Sequence, residues 1–422
     1  MKPAQKAFVC LLLIVVISVY FFRLQLVSSL KIPENSVITL RGRITQQPYL
    51  KGSYQNISLG PILLKTDRYP GYIYGDLLEV TGKFEKRVTN SFQTQYYAYF
   101  PTIREIEKAQ RPTLFSNFKK KLYYFRGQLE NTIEQLLPEP QSSLLNGILL
   151  GTKKEMPEKF LKNLRETGTL HIIVASGYNL SVVAGFLVSA LVWFVSRKKA
   201  LIFAFLGVIF YTLMVGAEPP VVRAAIMASL AFGAGYLGRL RDGLIALITA
   251  ALIMLLISPL ILFDIGFQLS LMATAGILLI HPLLKEKRIF HLPVFGDDLA
   301  TTLSAQIGVT PILLVNFGNL SFLSPFINAL ILPLIPILMN LGGIVALFGF
   351  FIRPIAQVLA WFLWLPLTYF VKLIEGFGEL PWINFQIKSL SLWWVTGYYF
   401  VIAFVLWRAW RGKWNLKEPR LF

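Results

Sequence analysis

From about Leu170 to the C-terminal end the chain is a succession of apolar stretches separated by short polar breaks. Each stretch is about 20 residues long, enough to cross the hydrocarbon core of a bilayer as a helix. Spans are expected near residues 170–195, 200–216, 220–238, 243–260, 265–284, 299–316, 325–350, 354–374 and 391–407. Pro333 and Pro336 interrupt the span at 325–350, so one kinked helix and two half-helices both fit it. A further apolar run, Ala7–Phe22, follows Lys2 and Lys6. It reads as an uncleaved anchor rather than a signal peptide, because it is long and Val27-Ser28-Ser29 is a poor cleavage site. With that anchor the expected fold class is a polytopic α-helical membrane protein of about ten transmembrane helices.

Between the anchor and the apolar succession the pattern changes period. Ser36–Thr45 alternates, with Ile38, Leu40, Gly42 and Ile44 on one face and Val37, Thr39, Arg41 and Arg43 on the other. Leu77–Glu85 repeats the alternation, with Leu78, Val80, Gly82 and Phe84 pointing one way. Turn residues stand between such runs (Gln47-Pro48, Lys51-Gly52-Ser53, Tyr69-Pro70-Gly71). Period two with turns predicts short antiparallel strands. About five strands in this length suit a small closed barrel, and Gly75–Phe84 resembles the turn and curved strand of an OB-fold. Thr113–Pro138 is basic and helix-like, with Lys119-Lys120-Lys121 beside Leu122, Tyr123, Tyr124 and Phe125, a pattern suited to a membrane surface. The expected organisation is an anchor over 1–30, an OB-fold-like extracytoplasmic domain over 31–108, an amphipathic connector over 109–139 and a helical membrane domain over 140–422.

Composition settles the class and charge sets the orientation. Hydrophobic residues make up 55% of the chain and charged residues 15%, below the roughly 25% charged of ordinary soluble domains. Much of the +19 net charge falls between or after apolar spans, at Arg197-Lys198-Lys199, Arg239 with Arg241, Lys285-Lys287-Arg288, and from Arg408 to Arg420. Positive loops stay in the cytoplasm. Ten spans put all these clusters there, with both termini, and leave the strand domain outside the cytoplasmic membrane. The opposite connections, Gly216–Pro219, Pro259–Asp264 and Phe317–Ser321, carry no Lys or Arg. Cys10 is the lone cysteine, so disulfides and cysteine metal sites are excluded. His171, His281 and His291 have no metal-ligand spacing, and no phosphate-cradling glycine loop with its lysine occurs. No enzyme chemistry and no cofactor are expected.

Polar groups at bilayer depth are expensive and need a reason. Gly168–Ser181 places His171, Ala175, Tyr178 and Asn179 on one helical face, with Ser176-Gly177 as a point where the helix opens. Tight packing through small residues fits this segment equally well. In Glu218-Pro219-Pro220-Val221-Val222-Arg223 the arginine either pairs with Glu218 at the interface or points into a pathway. Asp264 is placed to cap a helix, with Gln268 one turn further and Ser270 beyond it. Thr302, Gln306 and Thr310 form a stripe at spacing four, followed by Asn316, Asn319, Ser321 and Asn328, either interhelical glue or a pore lining. Four such constellations in one bundle favour a shared aqueous pathway.

At these same residues the chain resembles the ComEC-type competence channels. Leu145–Gly151 is similar to that family's opening helix, and Gly168–Leu180 to its Ser-Gly-centred signature. Arg223–Met227 and Gly266–Ser270 resemble the next landmarks. Leu303–Gly308 with Thr310-Pro311, then Phe317–Ser321, Ser324-Pro325, Asn328 and Pro333, resemble the last. Asn179 stands where many members have histidine, which puts in doubt any role needing a titratable ring. Many members also continue into a metallo-β-lactamase-like domain whose metal motif this sequence does not contain.

The resemblance implies passage of single-stranded DNA across the cytoplasmic membrane during natural transformation. It implies a path lined by His171, Ser176, Gly177, Asn179, Arg223, Gln268, Ser270, Gln306 and Asn328. The outer domain would meet DNA through Arg41, Arg43, Tyr54, Tyr72, Tyr74 and Lys83, by stacking and charge; the same aromatics also suit a barrel core and the same cations a solvated face. Implied partners are single-stranded DNA, membrane lipids, a DNA receptor, a separate nuclease, and a cytoplasmic helicase or strand-capture protein. Two rivals stand beside it: a secondary carrier for a small solute, with the outer domain as recognition cap, and a scaffold that assembles with a nuclease.

Overall fold

The computed structural model describes residues 18–25, 37–45, 48–51, 53–90, 93–107, 114–152, 156–174, 176–239, 242–290, 295–380, 384–386 and 392–417. The start of the N-terminal apolar run with Cys10, the segment Val27–Ser29, Ala175, Arg241 and His291 lie outside these residues.

Among the described residues the N-terminal domain has eight strands rather than about five: β1 (Val37–Arg43), β2 (Tyr49–Lys51), β3 (Tyr54–Leu59), β4 (Ile62–Asp67), β5 (Leu77–Lys83), β6 (Glu85–Asn90), β7 (Gln93–Tyr99) and β8 (Thr102–Glu107). They form a three-stranded sheet, β1-β5-β8, and a five-stranded sheet, β2-β3-β4-β7-β6. Among the described residues this is two sheets, not one closed barrel. Both sheets share one core, with Ile44, Leu78, Val80 and Phe84 meeting Ile57, Leu64, Tyr96 and Ala98. The alternation in β1 and β5 turns one residue in two toward that core, as pleating requires. β4 and β7 run parallel, pairing Leu63 with Tyr97 and Lys65 with Tyr99.

The rest is helical. Among the described residues, five helices are long and apolar enough to cross a membrane: Arg197–Val215, Ile265–Leu284, Gly296–Phe317, Ser324–Phe351 and Arg353–Gly378. Gly177–Leu191 and Gly243–Ile257 are shorter apolar helices. Ser324–Phe351 is neither a straight span nor two separated halves. A 3-10 turn at Leu332–Leu334, where Pro333 removes a donor, joins Ser324–Ile331 to Ile335–Phe351. The span expected at 170–195 is broken: Leu170–Ile173 ends, Val174 is extended, and a new helix starts at Gly177 behind Ser176. His171 therefore does not share a helix face with Tyr178 and Asn179.

Two elements that hydropathy alone misplaces organise the bundle. The helix Leu114–Leu136 does not lie free on a surface. It buries Leu122, Leu129, Ile133 and Leu136 in the main core, and its Thr132 methyl occupies the space left by Gly349. Every residue of Gln141–Leu150 is buried, although it carries Gln141, Ser142, Ser143 and Asn146. Some of its polar groups are met inside the protein: Gln141 donates to Thr368 Oγ1 at 3.0 Å and Ser142 to Glu139 Oε1 at 2.6 Å, while Gln141 Oε1 and Asn146 Oδ1 are buried without a partner. The carbonyls at its C-terminal end receive Asn179 Nδ2 on Ile148 and the Tyr211 hydroxyl on Leu149, each at 3.0 Å. Close helix approach relies on glycine. A Cβ at Gly276 would lie 2.3 Å from the Ser304 carbonyl, and one at Gly308 2.4 Å from that of Met272, so Ile265–Leu284 and Gly296–Phe317 touch backbone to backbone.

Candidate functional site

The break before Gly177 creates the site. Ser176 caps the new helix, its hydroxyl accepting from the Asn179 amide at 3.2 Å and donating to Asn179 Oδ1 at 3.0 Å. Asn179 itself is 1% exposed and spends its Nδ2 on Ile148. It bridges two helices, as the tight-packing reading of this segment expects.

One helix over, Pro219–Tyr236 starts with two prolines at positions where missing donors cost nothing, and one turn later it presents Arg223. Arg223 turns inward instead of pairing with Glu218, and is 6% exposed. Its guanidinium rests on Gly177, where a Cβ would sit 2.9 Å from Nη2. Nη1 donates to Thr274 Oγ1 on the third helix, Ile265–Leu284, and lies 3.9 Å from Met227 Sδ. The Thr274 hydroxyl in turn donates to the Ser270 carbonyl at 3.0 Å. Nε is buried with no partner, and no carboxylate among the described residues pairs with the group. A desolvated cation is costly unless an anion compensates it. The junction of these three helices is therefore an electropositive seat.

A second group lies where the segment before the break meets Ser324–Ile331. Gly168 takes φ +69°, and a Cβ there would meet Ser324 Oγ at 2.9 Å and Ser321 Cβ at 3.2 Å. Asn328, 2% exposed, donates to Ser324 Oγ at 3.2 Å. Gln306 reaches the Ser321 carbonyl at 3.4 Å, and Thr310 donates back to the Gln306 carbonyl. Asn328 Oδ1, Ser321 Oγ and Thr302 Oγ1 are buried without protein partners. His171 joins this group through Nδ1 and the Gly168 carbonyl, 2.9 Å apart. The residue itself is exposed. Gln268 belongs to neither group: its Nε2 donates to the Leu262 carbonyl at 2.9 Å beside the Asp264 cap.

The candidate DNA contacts of the strand domain separate into different environments. Tyr72 is 9% exposed and part of the core, so it offers no stacking face. Arg41 pairs with Glu79 at 2.8 Å, and Arg43 donates to the Gly75 carbonyl at 3.1 Å. Tyr74 packs edge-on against Tyr123 of Leu114–Leu136, 5.6 Å between centroids, with Lys119 Nζ 4.8 Å above the Tyr74 ring. Burial at this junction holds the Lys119 ammonium below its ordinary pKa. Lys83 is exposed, and Tyr54 lies under Lys65 Nζ at 3.7 Å.

Sequence reasoning passed over Thr274 as partner of Arg223, Asn146 and Tyr211 as residues of the buried core, and Arg126. Arg126 pairs with Glu130 at 3.1 Å and donates to the Met214 and Val215 carbonyls at the end of Arg197–Val215. Apart from the i,i+4 pair of Arg126 with Glu130, these show no spacing signal, because their partners are distant in the chain.

Residues 148–412 match the family described as "Competence protein". The chain is 27% identical over 267 residues to ComE operon protein 3 of Bacillus subtilis (strain 168), covering 60% of this chain and 33% of that protein. It is 24% identical over 308 residues to the uncharacterized protein YcaI of Escherichia coli (strain K12), covering 68% of this chain and 39% of that protein. The matches thus span between a third and two fifths of these curated relatives. No solved structure matches the chain. The matched residues contain the helix break, the Arg223 seat and the Asn328 group, and by this match the chain belongs to the ComEC-type competence protein family.

Proposed function

We propose that this chain provides the membrane passage for single-stranded DNA during natural transformation. In this reading about ten spans cross the cytoplasmic membrane. Both termini are cytoplasmic, and the strand domain acts as an OB-like receptor outside. Membership of the competence family supports the biology. The single structural observation that carries the chemistry is Arg223: a guanidinium buried among three helices, donating to one neutral hydroxyl, with Nε unpartnered and no acidic partner among the described residues. A phosphodiester entering the seat supplies the missing anion, and exposed His171 with the unpartnered oxygens of Asn328 and Ser321 offers further polar groups. The arrangement neither hydrolyses DNA nor supplies energy in this reading, so a separate nuclease, a DNA receptor, and a cytoplasmic helicase or strand-capture protein complete the process.

The carrier reading needs a buried carboxylate to couple an ion gradient, and the described residues at the Arg223 seat supply none. The test is transformation frequency in a transformable host whose own gene is replaced by this chain or by Arg223→Gln. Charge-assisted hydrogen bonds are worth about 1.5–3 kcal/mol, so transformation should fall about 10- to 150-fold at equal membrane abundance. Unchanged transformation would remove Arg223 from the path and leave the reading on family membership alone.

A further inference from the structure

One turn in the middle of Gly296–Phe317 is held by another helix. Pro311 has no N–H to give to the Ile307 carbonyl one turn before it. That carbonyl receives the Tyr398 hydroxyl at 3.0 Å, and the next one, on Gly308, receives the Tyr399 hydroxyl at 2.9 Å. Both tyrosines belong to Leu392–Lys417, whose Trp393, Trp394, Phe400 and Phe404 are exposed. The same helix reaches Ile265–Leu284 near that helix's own internal proline, Pro282: Trp410 Nε1 donates to the Leu279 carbonyl at 3.3 Å.

This turn lies between the two polar groups of the candidate site. Gly308 touches the Met272 carbonyl, and Met272 is two residues before Thr274, the partner of Arg223. Gln306 stands on the N-terminal side of Pro311, while Ser321, whose carbonyl it reaches at 3.4 Å, stands on the C-terminal side. A change of angle at Pro311 therefore makes or breaks the Gln306–Ser321 contact.

We propose that Gly296–Phe317 is a hinge at Pro311, that Tyr398 is the positioning residue that holds its angle, and that passage requires the angle to change. The proposal rests on the uptake reading for what passes. Helices kink at proline because the hydrogen-bond ladder is already interrupted there. A carbonyl held by a hydroxyl from another helix can be released at the cost of one neutral hydrogen bond, with the rest of the ladder intact. Hinges of this kind concentrate the backbone change in a few residues and leave the flanking segments rigid.

The experiment exploits a substitution that returns the missing donor. Pro311→Ala supplies an N–H to the Ile307 carbonyl and makes the Tyr398 hydroxyl redundant. Tyr398→Phe is expected to lower the midpoint for thermal aggregation of the full chain in detergent, and to leave it unchanged in the Pro311→Ala background. An equal drop in both backgrounds overturns the assignment of Tyr398 to the proline-freed carbonyl. In a transformable host whose own gene is replaced by this chain, Pro311→Ala must break one more neutral hydrogen bond to bend. Transformation should then fall about 2- to 12-fold at equal membrane abundance, although the variant is at least as heat-stable as the wild type. Full transformation by Pro311→Ala overturns the hinge and leaves the uptake reading standing. Failure of the wild-type chain to restore transformation defeats the uptake reading, and with it the hinge's part in passage.

Discussion

Adding one methyl group at Gly177 tests the Arg223 seat without removing any polar group. The Cβ of Gly177→Ala would lie 2.9 Å from Arg223 Nη2 and 3.3 Å from Ala224 Cβ. The first distance is about half an ångström short of ordinary contact, and its neighbour is the tip of a long side chain. The guanidinium can move, so the steric cost stays near the low end of the roughly 1–3 kcal/mol typical of overpacking. What is lost is the bond from Nη1 to Thr274, because Nε has no partner to hold the group in place. A hydrogen bond from a charged donor is worth about 1.5–3 kcal/mol, so transformation should drop about 10- to 150-fold with membrane abundance nearly unchanged. Because both changes act on the same guanidinium, Gly177→Ala on top of Arg223→Gln should add little, a coupling readable in a double-mutant cycle. Transformation frequencies of the single and double variants, normalised to immunoblotted membrane protein, make the comparison. Full transformation by Gly177→Ala, or strictly additive losses, would refute the seat as the working position of Arg223.

Asn179→Ala removes the bracket to Ile148 and half of the Ser176 cap, leaving a buried carbonyl unmet. A loss of about 1–3 kcal/mol in stability is expected, seen as a lower midpoint for thermal aggregation in detergent. Arg126→Ala breaks a largely buried ion pair and uncaps Met214 and Val215, at a cost of about 3 kcal/mol; Arg126→Ala with Glu130→Ala should recover part of it in the same assay. Gly276→Ala drives a Cβ into the Ser304 carbonyl and should lower folded yield sharply, whereas Gly185→Ala, with open space at its Cβ, should not. Equal yields for the two glycine variants would show that the helix pair is not held backbone to backbone.

Local order along the chain was legible before any fold was known. The two-residue alternation of Ile38, Leu40 and Val80 dictates strands because a pleat sends neighbours to opposite faces. Runs of about 20 apolar residues dictate membrane helices because no water is present to satisfy an open backbone. Capping by Asp264 and the break at Ser176-Gly177 were also visible, since both depend on neighbours within one turn. The tertiary structure decided which polar groups are brackets and which remain free. Asn179 and Arg223 look alike as isolated polar residues in apolar sequence. Yet Asn179 ends on Ile148, 31 positions earlier, while Arg223 ends on Thr274, 51 positions later, and keeps an unpartnered Nε. Tyr54 and Tyr72 likewise look equivalent in the sequence of the outer domain, and only the closing of two sheets over one core buries Tyr72 and leaves Tyr54 beside Lys65. Periodicity carries the short-range part because backbone geometry repeats. Partners distant in the chain are chosen by packing, and packing leaves no periodic trace.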